Sequence, residues 1–247
     1  MINLKKLVIL ILLSVGAISF SYALLNNTSV KAALSGSVTE KEKTYPRIII
    51  DAGHGGFDGG ATDAKGNPEK DINLAIAIYL RDYLEFFGFR TLMTRTEDKS
   101  LEDDGLTTVK SKKTSDIHNR LKLMSDTDNC IFVSIHQNHY TEEKYSGAQV
   151  FYSGFQSESS SLLAQSIQNS IVEKLQPDNT RQIKPCTTSV YLIYNATAPA
   201  VLVECGFLSN TKEAELLNTA QYQKQMAFSI ALGIANYCAK EIPENGS

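Results

Sequence analysis

The chain has 247 residues, 43% of them apolar, and a formal net charge of −3, which suits one domain or at most two small ones. An acidic balance with no basic stretch excludes electrostatic nucleic-acid binding, which needs clustered phosphate contacts. Cys130, Cys186, Cys205 and Cys238 are scattered, without the spacing of a zinc ribbon or redox pair, and no disulfide pairing is singled out.

Lys5 and Lys6 precede an uncharged, mostly apolar stretch from Leu7 to Leu25. Residues 1–25 read as an export signal, with Ser21-Tyr22-Ala23 suited to cleavage after Ala23. The stretch also reaches the ~20 residues that span a bilayer, so an uncleaved membrane anchor is the alternative. Residues 26–45 are polar and read as a linker, and residues 46–242 as the folded domain.

Arg47–Gly53 is an apolar, β-branched run and reads as a buried strand. It ends in Gly53-His54-Gly55-Gly56-Phe57-Asp58-Gly59-Gly60, a loop whose glycines allow tight turns and close approach to a ligand. Neither phosphate-binding pattern fits: the Walker motif would need Lys-Ser/Thr after Gly60, and the dinucleotide motif would need glycine at Asp58. Pro68–Phe87 reads as an amphipathic helix closed by Gly88. Phe89–Arg95 is strand-like, Thr96 to about Ser115 a polar loop, and Ile117–Met124 a short helix. Cys130–Asn138 reads as another buried strand, Gly147–Ser153 as the start of a further strand, and Ser159–Leu175 as a helix. Ser189–Tyr194 and Ala200–Phe207 are expected as strands, Glu213–Leu217 and Tyr222–Ile242 as helices. This alternation predicts a three-layer α/β domain with a mostly parallel central sheet flanked by helices.

Three polar residues then fall at strand ends, where open α/β sheets place ligands: His54, His136 and Glu204. A carboxylate inside Ala200–Phe207 is costly to bury unless it has a partner or meets a cleft. Glu69 opens the helix after the glycine loop. Two histidines, one ligating carboxylate and an open position make a catalytic zinc shell, leaving the other carboxylate free to accept a proton from the attacking water. Each residue also has a plainer role: Glu69 as a favourable charge at a helix start, His136 as a satisfied core histidine, Glu204 as the partner of a buried base. His139 is a rival ligand, but residues three apart on a strand face opposite ways, whereas Asn138 shares the His136 face. His118 sits in a polar stretch and is expected to be solvated.

With these blocks placed, the chain resembles the zinc-dependent N-acetylmuramoyl-L-alanine amidases of the Amidase_3 type from about Arg47 to Tyr237. The resemblance rests on Ile50–Ala61, Glu69-Lys70-Asp71, Thr94-Arg95, Ser134–Asn138 and Pro199–Asn210. It implies one zinc ion held by His54, Glu69 and His136, Glu204 as the catalytic carboxylate and peptidoglycan as substrate; Asn138, on the His136 face, is expected to contact the substrate. Departures are Ala52 in place of a usual proline, Gln137 and His139 around Asn138, and Tyr194 where many members carry arginine. The charged segment Glu102–Lys113 is longer than usual, and is expected to meet an accessory protein or cover the cleft. The short leader and linker resemble the spore-cortex, germination-specific subgroup, acting as an exported monomer. A zinc carboxypeptidase-like peptidase and an inactive wall-binding module are the competing functions.

Overall fold

The computed structural model describes residues 45–241, so the export segment 1–25 and all of the linker but Tyr45 lie outside the described residues. Six strands form one sheet: β1 (Arg47–Ala52), β2 (Thr91–Met93), β3 (Cys130–Asn138), β4 (Gln149–Tyr152), β5 (Lys184–Pro185) and β6 (Ala200–Phe207), in the spatial order β2-β1-β3-β6-β4-β5. The central neighbours β2, β1, β3 and β6 run parallel, and β4 turns antiparallel against β6. The helices are α1 (Glu69–Phe86), α2 (Val109–Ser125), α3 (Ser157–Lys174), α4 (Tyr191–Tyr194), α5 (Thr211–Leu217) and α6 (Ala220–Glu241). Among the described residues no helix is long and apolar enough to cross a membrane.

Strand alternation divides the core into the two halves expected of three layers. Ile48, Ile50, Val133, Ile135, Val201 and Val203 pack beneath α1, α3 and α6 through residues such as Ile76, Leu80, Ile167 and Ile230. Ile49, Phe132 and Leu202 point the other way, onto Met124 of α2 and Leu192 and Ile193 of α4. Cys205 is a fully buried core residue, and Cys130, Cys186 and Cys205 are buried free thiols.

Two sequence expectations are corrected. Ser189–Tyr194 is not a strand: Tyr191–Tyr194 forms one helical turn, α4. A short apolar run carries no periodicity that separates the two states, and packing on the sheet face decided it. The polar loop expected up to Ser115 ends at Thr108, because α2 begins at Val109 and takes in Lys110, Lys112 and Lys113. Thr108 caps it by accepting from the Ser111 N–H at 3.1 Å. The first turns of α2 lack an apolar stripe, so the hydrophobic pattern alone hid them.

Candidate metal and catalytic site

β1 and β3 are aligned in register from Arg47↔Cys130 to Ala52↔Ile135, which brings the glycine loop after β1 beside His136 near the end of β3. His136 in turn pairs with Glu204 of β6 across the parallel ladder. The approach is close enough to require Gly53, where a Cβ would lie 2.2 Å from His136 Nε2. Gly60, at φ +69°, is the second required glycine, since a Cβ there would lie 2.5 Å from Glu69 Oε2.

His54 itself adopts φ +61°, a left-handed conformation that is unfavourable for a residue with a Cβ. Two buried arginines hold the backbone in that shape. Arg120 of α2 donates to the carbonyls of Ala52 (3.0 Å) and His54 (2.8 Å), and pairs with buried Asp51. Arg95 donates to Ala52 O (2.9 Å), Gly53 O (3.0 Å) and Lys70 O (2.7 Å). Asp51 also accepts from Ser134 Oγ (2.6 Å) and Thr94 Oγ1 (2.9 Å). Burial pushes the Asp51 carboxyl up, but Arg120 and these hydroxyls overcome it and leave the pKa lowered.

One nitrogen from each of His54 and His136 and a carboxylate oxygen of Glu69 all lie within 4.8 Å of one another, close enough that the three could hold one metal ion. His54 Nε2 is 3.3 Å from Glu69 Oε2, and His136 Nδ1 is 3.0 Å from Glu69 Oε1. Glu69 is 3% exposed, so its position at the start of α1 serves more than the helix dipole. The backbone N–H groups of Ala61 and Gln137 and the Asn73 amide also donate to its carboxylate. Burial alone would raise the Glu69 pKa, but the two imidazoles hold it well below the usual carboxylate range. On His54 Nδ1, Asp58 Oδ2 sits at 2.9 Å, and Lys113 Nζ lies 2.9 Å from Asp58 Oδ1. Burial pulls the His54 pKa down, yet Asp58 and Glu69 raise it to about 9.

Glu204 faces this cluster. Its Oε2 is buried without a hydrogen-bond partner. Burial pushes its pKa up to about 7, opposed by His136 and assisted by Glu69. These residues fit a bound divalent cation: two imidazoles and a carboxylate converge with only protons to share, and a second carboxylate with an unused oxygen stands beside them. His139 is exposed and lies outside the cluster, and His118 sits on α2 with its ring 5.7 Å from that of Tyr191. Asn138 follows on the same strand, beyond a bulge that shifts its pairing to Phe207.

Of the supporting residues, Asn73 and Arg120 were not singled out from the sequence, and Asp51, Asp58 and Arg95 only as parts of blocks. A signal existed for two of them. Arg120 falls on the stripe Ile117-Leu121-Met124 of α2, and Asp51 interrupts an otherwise apolar strand, both being charges at core positions.

Comparison with known proteins points the same way. The model of the Amidase_3 family, N-acetylmuramoyl-L-alanine amidase, matches residues 48–236. The germination-specific N-acetylmuramoyl-L-alanine amidase of Bacillus subtilis (strain 168) is 38% identical over 221 residues, 88% of each chain. The CwlD amidase from Clostridioides difficile, solved in complex with the GerS lipoprotein, superposes with a TM-score of 0.75 at 40% identity, covering 78% of this chain and 98% of that one. The AmiC2 amidase of Nostoc punctiforme gives a TM-score of 0.66 at 29% identity over 78% of this chain and 96% of its own.

Proposed function

The chain belongs to the Amidase_3 family of N-acetylmuramoyl-L-alanine amidases, and from that premise we propose a zinc-dependent hydrolase of the lactyl–L-alanine amide of peptidoglycan, with spore cortex as its wall substrate. His54, Glu69 and His136 would hold one zinc ion, and Glu204 is the catalytic acid and base. Zinc bound there supplies Lewis-acid polarisation of the amide carbonyl and eases ionisation of water. The protein residues supply the rest of the chemistry.

Glu69 is fixed by three donors besides the imidazoles, so it presents its carboxylate in one orientation. Asp58 accepts from His54 Nδ1, which fixes the tautomer that leaves Nε2 free to ligate and makes it more basic. Arg95 and Arg120 anchor the loop that carries His54. Glu204 takes the proton of the attacking water on a carboxylate oxygen and delivers it to the departing alanine nitrogen. A pKa near neutrality suits a group that must do both. Asn138, two residues beyond His136 on the same strand, is assigned to substrate contact. The observation that carries the reading is the unpartnered, buried Oε2 of Glu204 beside three converging ligands, since a buried carboxylate oxygen without a partner is costly unless chemistry uses it.

By the same reasoning the chain is exported and works outside the cytoplasm as a monomer, either freed by cleavage after Ala23 or held by an N-terminal anchor. An accessory protein is a further proposed partner, supported by the relative solved together with a lipoprotein. Incubation of the zinc-loaded chain with purified cortex and vegetative peptidoglycan tests the assignment. New N-terminal L-alanine from cortex is the expected product. Other new peptide termini would indicate a peptidase, and binding without cleavage an inactive wall-binding module.

A further inference from the structure

Gln137 is one of the departures from the family pattern noted above, and its side chain is not idle. It is 4% exposed, and its Nε2 donates to Asn73 Oδ1 at 3.1 Å. Asn73, fully buried on α1, donates through Nδ2 to Glu69 Oε1 at 3.1 Å and to the Gly53 carbonyl at 3.2 Å. Both amides therefore point their donors the same way, towards Glu69. We propose that Gln137 is a positioning residue, which acts through Asn73 to hold the Glu69 carboxylate in its metal-ligating orientation.

The direction of the relay follows from what each amide faces. Turning the Asn73 amide over would set its oxygen against a carboxylate oxygen and a backbone carbonyl, acceptor against acceptor on both contacts. The correct orientation leaves Asn73 Oδ1 buried, and Gln137 Nε2 is the donor that satisfies it. Gln137 leaves its own Oε1 buried without a partner in order to do so. A side chain present only to fill space would not carry that unmet acceptor, whose burial costs free energy. One end of the relay also touches the fold that places the ligands, since Gly53 is the residue between β1 and His54.

The inference rests on the metal site proposed above, and one set of measurements separates the two. Zinc affinity is measured by chelator competition for the full chain and for Gln137→Ala, Asn73→Ala and the double variant, with circular dichroism as a check on folding. The backbone N–H of Gln137, which donates to Glu69 Oε1 at 3.0 Å, survives every substitution, so the side chain alone is probed. Loss of a supporting hydrogen bond behind a ligand is expected to weaken zinc binding by roughly tenfold to a hundredfold. Because Gln137 acts through Asn73, removing Gln137 in the Asn73→Ala background should cost nothing more. Should Asn73→Ala fail to fold, Asn73→Ser takes its place in the cycle. Unchanged affinity in Gln137→Ala, or an equal loss in both backgrounds, overturns the relay while leaving the metal site intact. Failure of the unmodified chain to bind zinc overturns both.

Discussion

Arg120→Met should destabilise the zinc-free chain by about 3–5 kcal/mol at neutral pH, the range for removing one partner of a buried ion pair. The size follows from what is left behind. Methionine keeps most of the apolar stem, but Asp51, 1% exposed, loses its cation and retains only the Ser134 and Thr94 hydroxyls. The Ala52 carbonyl still accepts from Arg95, whereas among the described residues no other donor reaches the His54 carbonyl, which loses its 2.8 Å contact at a strained φ. The pH dependence gives a second readout. In the parent chain the Asp51 pKa is depressed, so its contribution is present above the unfolded value of ~3.9 and is lost as pH falls through the folded value. Without Arg120, burial dominates and Asp51 takes up a proton more readily, so the stability gap between variant and parent narrows as pH falls from 7 towards 5. Equilibrium urea unfolding followed by circular dichroism measures both. A difference below about 1 kcal/mol, or one that does not change with pH, would refute the role of this pair as the clamp beneath the site.

Other consequences can be checked on the same material. His136→Ala should lose zinc on dialysis while His139→Ala keeps it, read by metal analysis; the reverse would place the site on the wrong strand face. Asp58→Asn removes the carboxylate behind His54 and should weaken zinc binding by about 10–100-fold in chelator competition, and equal affinity would show Asp58 to be a loop-fixing residue only. The acid limb of kcat/KM should report Glu204 losing its proton, so activity rises with pH. Its midpoint should lie at or below about 7, because a bound cation favours the carboxylate; a limb well above 7 would point to another group.

Much of this architecture was legible because the central strands are long runs of apolar, β-branched residues. Cys130–Asn138 and Ala200–Phe207 agree with the sequence expectation residue for residue, and the helix expected from Pro68 begins at Glu69. The elements that differ are those whose state is set by packing: the single turn at Tyr191, and the polar first turns of α2. His54, Glu69 and His136 are far apart in the chain, so no short motif joins them; strand-end position and family resemblance did, and the structure brings their imidazole nitrogens and carboxylate within 4.8 Å of one another. What lay beyond reach was the support beneath them. Arg120, Asn73 and Gln137 earn their roles only through contacts that the parallel sheet creates between β1, β3 and two helices. The Lys113–Asp58 contact likewise depends on α2 starting at Val109.

The central claim is that Glu204 moves the proton in a reaction for which the metal ligands alone are insufficient. Glu204→Gln preserves shape and burial but cannot accept a proton from water. Zinc content and turnover on purified peptidoglycan should therefore be measured on the same preparation of this variant. Full zinc occupancy with turnover reduced roughly 10²–10⁴-fold is the predicted result. A zinc-loaded Glu204→Gln chain that releases N-terminal L-alanine at close to the parent rate would contradict it.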